Sequence, residues 1–327
     1  MRDDANPRHV RLTATGGPEM LQVEPMSVPE PGPGQVLIRV EAAGVAFNDV
    51  STREGLNPGP LPDVLGFDVV GHVEKVGAGV DDVAVGQRVG ALAGVGGYAT
   101  HVLATSQRAA PLPEGPSAEE LDALVLNYLT AWQMFHRKVR AVPGQAVLIL
   151  GAAGGVGSAL CQIARAAGVE VYGTSSRARR ARVEANGATW VADTAAVPEP
   201  VAATFDPVGG PSLARSRRTT KRSGVVVSYG FSFAIGAGYS KVGAMVRTVG
   251  ALVRAKLTPG ARVVVHTVER AVDKDPAGFR ADMTALVELL RAGTLKPEVT
   301  TLPLDQAAEA HRRLENREVE GKLVLIP

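Results

Sequence analysis

An apolar run enters a glycine-rich turn in the sequence Val147-Leu148-Ile149-Leu150-Gly151-Ala152-Ala153-Gly154-Gly155-Val156-Gly157-Ser158. Residues 159–167 then have the alanine-rich composition of a helix, and residues 169–173 form a second apolar run. This order predicts a strand, a tight turn, a helix and a strand, and backbone N–H groups at such a helix N-terminus bind a pyrophosphate. An ordinary strand-to-helix turn is the alternative, since Ala152 stands where the usual fingerprint has its first glycine. The expected cofactor contacts are Gly154, Gly155, Val156 and Gly157.

The residues after the second apolar run indicate which dinucleotide binds. A carboxylate about 20 residues past the glycines usually accepts a hydrogen bond from a free ribose 2′-OH. That place reads Gly173-Thr174-Ser175-Ser176-Arg177-Ala178-Arg179-Arg180, with hydroxyls and guanidinium groups but no carboxylate. Because such groups suit a 2′-phosphate, we predict NADP(H) over NAD(H), with Ser176, Arg177 and Arg180 as the phosphate clamp and Ser175 beside them. Alternatively, the arginines form the solvated face of the next helix, Arg182 included.

Composition narrows the class of protein. A chain of 327 residues is long for a single hydrophobic core, so two domains are expected. The 35 basic residues nearly balance the 33 acidic ones, which gives no reason to expect a nucleic-acid partner. The single cysteine, Cys161, excludes an internal disulfide and a cysteine-based zinc site and fits a cytoplasmic protein. The polar N-terminus and the lack of a long apolar run predict neither a secretory signal nor stable membrane insertion.

The pattern along the chain predicts an α/β fold of two domains. Short apolar runs between Gly/Pro turns fill residues 1–122 and indicate a barrel-like β unit. A capping box from Ser117 to Glu120 opens a helix, and strands then alternate with helices, as in a doubly wound parallel sheet. The strands are expected at 146–150, 169–173, 189–192, 202–206, 224–229 and 262–268. The predicted domains are 1–122 with 272–327, whose last strand returns to the β unit, and 123–271.

Residues 241–256 have the spacing of an amphipathic helix. Its apolar face comprises Val242, Met245, Val246, Val249, Leu252 and Val253. Either this helix packs on the edge of the sheet, or it is a lid over an apolar substrate pocket. Docking on a membrane surface is the weaker interpretation, because the basic residues are few for attraction to anionic lipid. These residues are Lys241, Arg247, Arg254 and Lys256.

Further motifs occur in order along the chain. They are Pro33-Gly34-Gln35-Val36-Leu37-Ile38-Arg39-Val40-Glu41-Ala42-Ala43-Gly44-Val45, Phe47-Asn48-Asp49-Val50, Gly66-Phe67-Asp68-Val69-Val70-Gly71, Gly77-Ala78-Gly79-Val80, Leu126-Asn127-Tyr128-Leu129-Thr130-Ala131-Trp132-Gln133 and Phe205-Asp206-Pro207-Val208-Gly209-Gly210. With the glycine turn they resemble the medium-chain dehydrogenase/reductase superfamily, in particular its zinc-free quinone oxidoreductase branch. The resemblance implies a GroES-like β domain of discontinuous sequence, a Rossmann doubly wound parallel sheet and a homodimer joined through the Rossmann sheets.

The expected chemistry needs no metal. Zinc-using relatives have a cysteine where this chain has Ala46 and a histidine where it has Phe67, and catalytic zinc requires three protein ligands. Without a Lewis acid, the nicotinamide supplies the hydride, and suitable acceptors are conjugated molecules such as quinones, enones and enoyl compounds. The resemblance implies the same class of small-molecule substrate.

The side chain that stabilises the resulting enolate is the least determined feature. Asn48 lies near the position of the missing zinc ligand, but it is also a candidate helix N-cap. Tyr128 lies where a third ligand would be, so its phenol is either a donor to an oxyanion or a packed interdomain aromatic. By resemblance, Thr130 contacts the cofactor phosphates or the nicotinamide. Tyr229 and Gly230 are expected among the cofactor contacts.

Two functions compete at this stage. The first is an NADPH-dependent, zinc-independent quinone or enoyl reductase. The second is an NADP(H)-binding protein without turnover, like the crystallin members or the membrane-associated homologues of the superfamily. The enzyme is favoured because the nicotinamide itself carries the reactive hydride. Ala46, Ser51 and Thr194 replace polar or aromatic residues of many quinone reductases, which points to a specialised substrate.

Overall fold

The computed structural model describes residues 6–57 and 59–327, which divide into two compact units. The first unit comprises residues 6–126, Glu269–Ala292 and Lys296–Pro327, and the second comprises Asn127–Val268 and Gly293–Leu295. The strands are β1 (Arg8–Leu12), β2 (Leu21–Pro25), β3 (Gln35–Val45), β4 (Asp68–Val76), β5 (Arg88–Leu92), β6 (His101–Thr105), β7 (Ala109–Pro111), β8 (Ala146–Ile149), β9 (Glu170–Thr174), β10 (Thr189–Val191), β11 (Val201–Asp206), β12 (Thr220–Ser228), β13 (Arg262–Val265), β14 (Val299–Pro303) and β15 (Lys322–Ile326). The α-helices are α1 (Phe47–Arg53), α2 (Ala118–Ala123), α3 (Leu129–Gln133), α4 (Gly155–Ala166), α5 (Arg180–Ala185), α6 (Leu213–Thr219), α7 (Lys241–Leu257), α8 (Val268–Lys274), α9 (Pro276–Arg291) and α10 (Ala307–Glu315).

The second unit is built on a six-stranded parallel sheet. Its strand order is β10-β9-β8-β11-β12-β13, and the direction of winding reverses between β8 and β11. This is the order of a doubly wound dinucleotide-binding sheet, in which ligands bind outside the carboxyl ends of the strands at the reversal. The Rossmann architecture predicted from the sequence is therefore confirmed, and each of its six strands overlaps the predicted range.

The first unit contains a seven-stranded sheet of order β14-β15-β3-β4-β5-β7, with β6 also paired to β3. The last strand, β15, pairs antiparallel with β3, so the chain returns to this unit as predicted. Strand β3 buries Val36, Leu37 and Ile38 completely. Strand β3 pairs with β15, β4 and β6, so it lies at the centre of the sheet. Its buried apolar side chains supply much of the sheet's stabilisation.

A buried ion pair links the first residue of β15 to the first residue of β4. The Lys322 ammonium lies 2.6 Å from the Asp68 carboxylate and 3.8 Å from that of Asp122, and all three side chains are at most 2% exposed. Burial, and then the Asp68 charge, raise the pKa of Asp122 well above its usual value. Burial disfavours the Lys322 ammonium, yet the two carboxylates together hold its pKa above the usual range. Lys322 therefore faces two buried carboxyl groups, of which Asp68 is the nearer.

The helical run between the two sheets begins with the predicted capping box. The Ser117 hydroxyl accepts from the Glu120 N–H at 3.2 Å, and the Glu120 carboxylate accepts from the Ser117 N–H at 3.3 Å. After α2 the helix widens to π geometry at Leu124–Tyr128, and again after α3 at Met134–Val139. Such π segments concentrate at functional sites, and the first of them carries Tyr128.

Helix α7 forms where predicted, but most of its predicted apolar face is turned away from the second unit. The residues that face its unit are mostly small: Ala244 is buried, and Thr248, Ala251, Leu252 and Ala255 are half-buried. Leu252 packs with Ala251 against a core cluster of the second unit. The helix therefore packs beside the edge strand β13, as one of the two alternatives predicted, but the other residues of its apolar face are exposed.

Candidate functional site

The glycine turn follows β8 directly, at the reversal of strand order. Gly151 has a φ of 67°, the left-handed conformation that favours glycine. The next residue, Ala152, is buried and donates its N–H to the carbonyl of Thr174 at 2.9 Å. The glycine that makes the tight turn is thus Gly151, one residue before the position expected from the fingerprint. Ala152 at the expected position therefore leaves the turn intact.

Two glycines allow the close packing of this turn. A Cβ at Gly157 would clash with the Gly151 carbonyl oxygen and lie 2.8 Å from the Ala152 Cα, both of them backbone atoms. A Cβ at Gly173 would lie 2.7 Å from the Ala152 Cβ. Both positions therefore need glycine to bring the turn, α4 and β9 together.

The turn ends at the N-terminus of α4, a helix of 12 residues. Gly154 is the N-cap, and among the described residues no side chain caps the first turn. Gly154, Gly155 and Val156 are half-buried, so they are reachable from outside the unit. Unsatisfied N–H groups and the positive end of the helix dipole make this turn a fitting cradle for a pyrophosphate. The structure thus brings the four predicted turn residues together at one helix mouth.

The predicted phosphate clamp lies at the carboxyl end of the neighbouring strand β9. The Ser175 hydroxyl accepts from the Trp190 indole N–H at 3.1 Å, and Ser176 precedes a short 3₁₀ helix, Arg177–Arg179. Arg180 lies over the Trp190 ring at 5.4 Å and donates to Glu184 at 2.8 Å. Arg177 is exposed and forms no ion pair among the described residues, so it is the more available cation.

One alternative for the arginine cluster needs correction. Arg182 is buried, so it does not belong to a solvated helix face. The solvated positions are Arg177 and Arg180. Arg179 is half-buried, so the two cations proposed for the phosphate are the two exposed arginines of the cluster.

Asp206, at the end of β11, organises the loop on the other side of the reversal. Its carboxylate accepts from the N–H groups of Val208 at 2.9 Å and Gly209 at 3.0 Å. It also accepts from the hydroxyls of Ser212 at 2.6 Å and Ser216 at 2.7 Å. The motif around Asp206 did not predict this positioning role, since the hydroxyls of Ser212 and Ser216 reach the carboxylate only once the chain turns into α6.

The loops after β11 and β12 meet backbone to backbone. A Cβ at Gly230 would lie 2.5 Å from the Pro207 carbonyl oxygen, and one at Gly209 would clash with the carbonyl of Gly230. Tyr229 precedes Gly230, and burial, followed by the Asp206 charge, raises the pKa of its phenol above the usual range. The predicted contacts Tyr229 and Gly230 thus lie at the carboxyl edge of the sheet. Tyr229 presents a neutral phenol there, and Gly230 allows the close backbone contact.

His266 follows β13 at the same edge and was missed in the sequence. It is buried, and burial lowers the pKa of its imidazole to about 4. The side chain is therefore neutral at neutral pH. Its position directly after an apolar strand is the signal that would have found it.

Tyr128 and Thr130 lie on the helical run, and both are buried. The Tyr128 phenol donates to the Gln162 amide oxygen at 3.0 Å, and Gln162 in turn donates to Asn186 at 2.7 Å. Gln162 belongs to α4, so this contact holds Tyr128 against the helix that begins at the glycine turn. The contact is of the kind expected for a packed aromatic.

Asn48 belongs to the first unit and lies in the first turn of α1. The N-cap of that helix is Ala46, so the alternative prediction that Asn48 is the cap was wrong. Its side chain is exposed, and its amide oxygen accepts from the Asn57 amide at 3.0 Å. Asn48 therefore presents a polar group on the surface of the first unit.

The neighbouring Asp49 is buried and anchors α1. Its carboxylate accepts from the Ala46 N–H at 2.9 Å, from the Tyr98 hydroxyl at 3.0 Å and from the Gly66 N–H at 3.3 Å. The first of these bonds makes Asp49 the capping-box residue at the start of α1. Despite three donors, burial raises its pKa from 3.8 to about 7.

A relay of buried polar groups continues behind Tyr98. The Tyr98 oxygen lies 3.1 Å from Nε2 of His311, whose Nδ1 lies 3.2 Å from Nε of Arg53. Since arginine only donates, Nδ1 is an acceptor, and the ring proton on Nε2 is donated to Tyr98. Burial lowers the pKa of His311 to about 3, which keeps this neutral form.

Asp49 gives the protein a characteristic pH dependence. Because its folded pKa is raised, the native state holds a proton that the unfolded state releases, so stability falls as pH rises from about 4 to about 7. Asp49→Asn should lower the free energy of unfolding at every pH, since an amide accepts fewer hydrogen bonds. Relative to the variant, however, the wild type should lose about 1–3 kcal/mol between pH 5 and 7. Urea unfolding at several pH values measures this difference, and parallel curves for the two proteins would contradict the assignment.

The positions of the family's zinc ligands carry residues that do not bind metal. Ala46 has no donor atom, and Phe67 is buried and apolar. In the part of the chain that the structure describes, no group of three or more His, Cys, Asp or Glu side chains could hold a metal ion.

The doubly wound sheet with a glycine turn at its reversal defines the second unit as a dinucleotide-binding domain of the dehydrogenase class. Residues 32–114 match the alcohol dehydrogenase GroES-like domain, and residues 180–325 match the family described as zinc-binding dehydrogenase. Synaptic vesicle membrane protein VAT-1 homolog of Rattus norvegicus is 33% identical over 338 residues, covering 97% of this chain and 83% of that protein. Quinone oxidoreductase of Pseudomonas aeruginosa is 30% identical over 340 residues, covering 98% and 99%.

The structure of Escherichia coli quinone oxidoreductase complexed with NADPH is similar throughout. It superposes with a TM-score of 0.86 at 27% identity, covering 98% of this chain and 100% of that one. This chain belongs to the medium-chain dehydrogenase/reductase superfamily, in its quinone oxidoreductase-like branch. The family resemblance read from the sequence is confirmed.

Proposed function

We propose that this chain is an NADPH-dependent oxidoreductase that reduces a conjugated acceptor without a metal. The observation that carries the proposal is the pairing of an uncapped helix mouth at the sheet reversal with a cationic, carboxylate-free end of β9. The first feature fits a pyrophosphate, and the second fits a 2′-phosphate. The E. coli relative solved with NADPH supports the same cofactor.

The proposed cofactor contacts follow from the placement of the residues. The N–H groups of the turn would hold the pyrophosphate, and the serines and arginines after β9 would hold the 2′-phosphate. Thr130, Tyr229 and Gly230 are the further proposed contacts. When bound, the nicotinamide supplies a hydride, while the chain positions the reactants and excludes water.

The proposed acceptor is a quinone, an enone or an enoyl compound. Such a molecule takes up one hydride at carbon and one proton at the enolate oxygen or carbon, and it needs no Lewis acid. Ala46 and Phe67 at the ligand positions support this class, as does the quinone oxidoreductase relative. Of the two proposed polar groups, Asn48 is the stronger candidate because its amide is exposed, whereas Tyr128 is 3% exposed and donates to Gln162.

The test is NADPH oxidation with a panel of quinones, enones and enoyl thioesters, in the presence of a metal chelator. Turnover of at least one class, unchanged by the chelator, is expected. Tight NADPH binding with no turnover on any acceptor would instead favour the second function, a cofactor-binding protein without catalysis. Activity lost on chelation would contradict the metal-free proposal.

The phosphate clamp makes a selective prediction. Arg177→Ala should weaken NADPH binding about 10- to 100-fold, since one charge-assisted hydrogen bond contributes about 1.5–3 kcal/mol. Arg180→Ala should cost less, because Arg180 is already paired with Glu184. Binding of NADH, which lacks the 2′-phosphate, should change little in either variant. Titrations with both nucleotides measure the effect, Arg222→Ala is the control at another exposed arginine, and equal losses for both nucleotides would contradict the clamp.

A homodimer is the proposed assembly. Strand β13 ends the six-stranded sheet, and its Val265 is 54% exposed. Unpaired sheet edges of this kind are sites of strand pairing between chains. Antiparallel pairing of two β13 strands would extend the sheet across both copies, and light scattering measures the resulting mass.

A further inference from the structure

We propose that the outer face of helix α7 docks on an anionic lipid surface. This face is defined by Val242, Met245, Val246, Val249, Val253 and Leu257. They are 64%, 57%, 62%, 52%, 48% and 78% exposed, respectively. At 3.6 residues per turn they form one continuous apolar stripe along a helix of 17 residues.

The stripe is unusual because most of the large apolar side chains of α7 point away from the second unit. The residues that α7 turns towards its own unit are mostly small, such as Ala244 and Ala251, while its larger apolar side chains point outward. Folding of the second unit alone therefore does not account for them. A contiguous exposed apolar patch of six large side chains marks a contact with another surface.

Four basic residues alone are few for attraction to lipid, but the structure places them beside an exposed apolar stripe, and the two features together identify the kind of surface. Helix α7 carries Lys241, Arg247, Arg254 and Lys256 and no acidic residue. Arg247 and Arg254 flank the stripe on one side and Lys241 on the other, while Lys256 lies within the stripe near its C-terminal end. An apolar stripe between two basic flanks is the arrangement of helices that lie in the interface of an anionic bilayer.

A second copy of this chain is the competing occupant. Two α7 helices packed face to face would bring eight basic side chains together with no carboxylate on either helix. Like charges across an interface oppose association, whereas anionic headgroups carry the charge opposite to that of the basic residues of one helix. Docking does not require crossing the bilayer, and no helix of the described residues is long and apolar enough to cross one.

Flotation of the full chain with phosphatidylcholine vesicles, with and without phosphatidylglycerol, tests the proposal. We expect binding to the anionic vesicles only, and a loss of about 100-fold or more in Val246→Asp/Val249→Asp, because two stripe positions then carry charge. Arg247→Glu/Arg254→Glu should also lose binding. Val142→Asp is the matched control, since Val142 is an exposed valine of the same unit outside α7, and it should bind like the wild type.

Three results would overturn the proposal. They are equal binding to neutral vesicles, binding that survives the stripe variant, and no flotation of the wild type. In the last case, a mass by light scattering that halves in the stripe variant would assign the face to a second copy. Unchanged NADPH binding in the stripe variant shows that it is folded, so the outcome is independent of the proposed catalytic function.

Discussion

Replacement of Gly157 by alanine is expected to weaken NADPH binding by at least about 100-fold. The added Cβ would collide with the Gly151 carbonyl and crowd Ala152, so the turn must open or α4 must shift. Misplaced N–H groups at the helix mouth then no longer converge on the pyrophosphate. Overpacking of this kind also costs about 1–3 kcal/mol of stability. Calorimetric titration and urea unfolding of the variant measure the two effects.

Variants at two further glycines distinguish a loss of cofactor binding from a loss of folding. Gly250→Ala, in α7, adds a methyl group to open space, so NADPH binding should be unchanged. Gly154→Ala lies in the turn itself, but its Cβ would approach the nearest atom only to 3.4 Å, so the fold should be kept. Because Gly154 is half-buried at the helix mouth, its methyl group should obstruct the cofactor and weaken binding about 10-fold. Normal NADPH affinity in both turn variants would contradict the cradle.

Replacement of Lys322 by methionine is expected to destabilise the protein by about 3–5 kcal/mol. The variant leaves Asp68 buried without its cation, beside an Asp122 that is itself buried. Asp68 must then either stay charged in an apolar environment or take up a proton, and both cost free energy. Urea unfolding of the variant at neutral pH measures the loss.

The double variant Lys322→Met/Asp68→Asn is the control for this prediction. Because it removes both charges, it should be more stable than Lys322→Met alone, as replacement of a whole buried pair is often tolerated. The single variant should also regain part of its stability as pH falls, since protonation of Asp68 removes the stranded charge. A loss below about 1 kcal/mol in the single variant would show that the pair is not buried as described.

Much of the fold could be predicted because the sequence patterns that indicate it are local. Apolar runs, glycine turns and the Ser117 capping box report on neighbouring residues, and they located the six strands of the parallel sheet. Helix α7 shows where such signals end. Periodicity identifies which residues share a face of a helix, but it does not say which face meets the protein, and here residues such as Ala244 do.

The site shows the same limit. The turn residues and the residues after β9 are contiguous in sequence, so their chemistry could be interpreted before the structure was known. The buried hydrogen bonds from Asp49 through Tyr98 to His311 could not be predicted, because Tyr98 and His311 are 213 positions apart in the sequence. Asn48 was a plausible cap by residue type, but the N-cap of α1 is Ala46, two residues earlier, and Asp49 is bonded to the Ala46 N–H.

The most direct test of the central claim is a calorimetric titration of the full chain with NADPH and with NADH. If the helix mouth holds the pyrophosphate and the arginines hold the 2′-phosphate, NADPH should bind at least about 10-fold more tightly than NADH. NADH binding as tightly as NADPH would contradict the clamp. The absence of binding heat from either nucleotide at several temperatures would contradict the account as a whole.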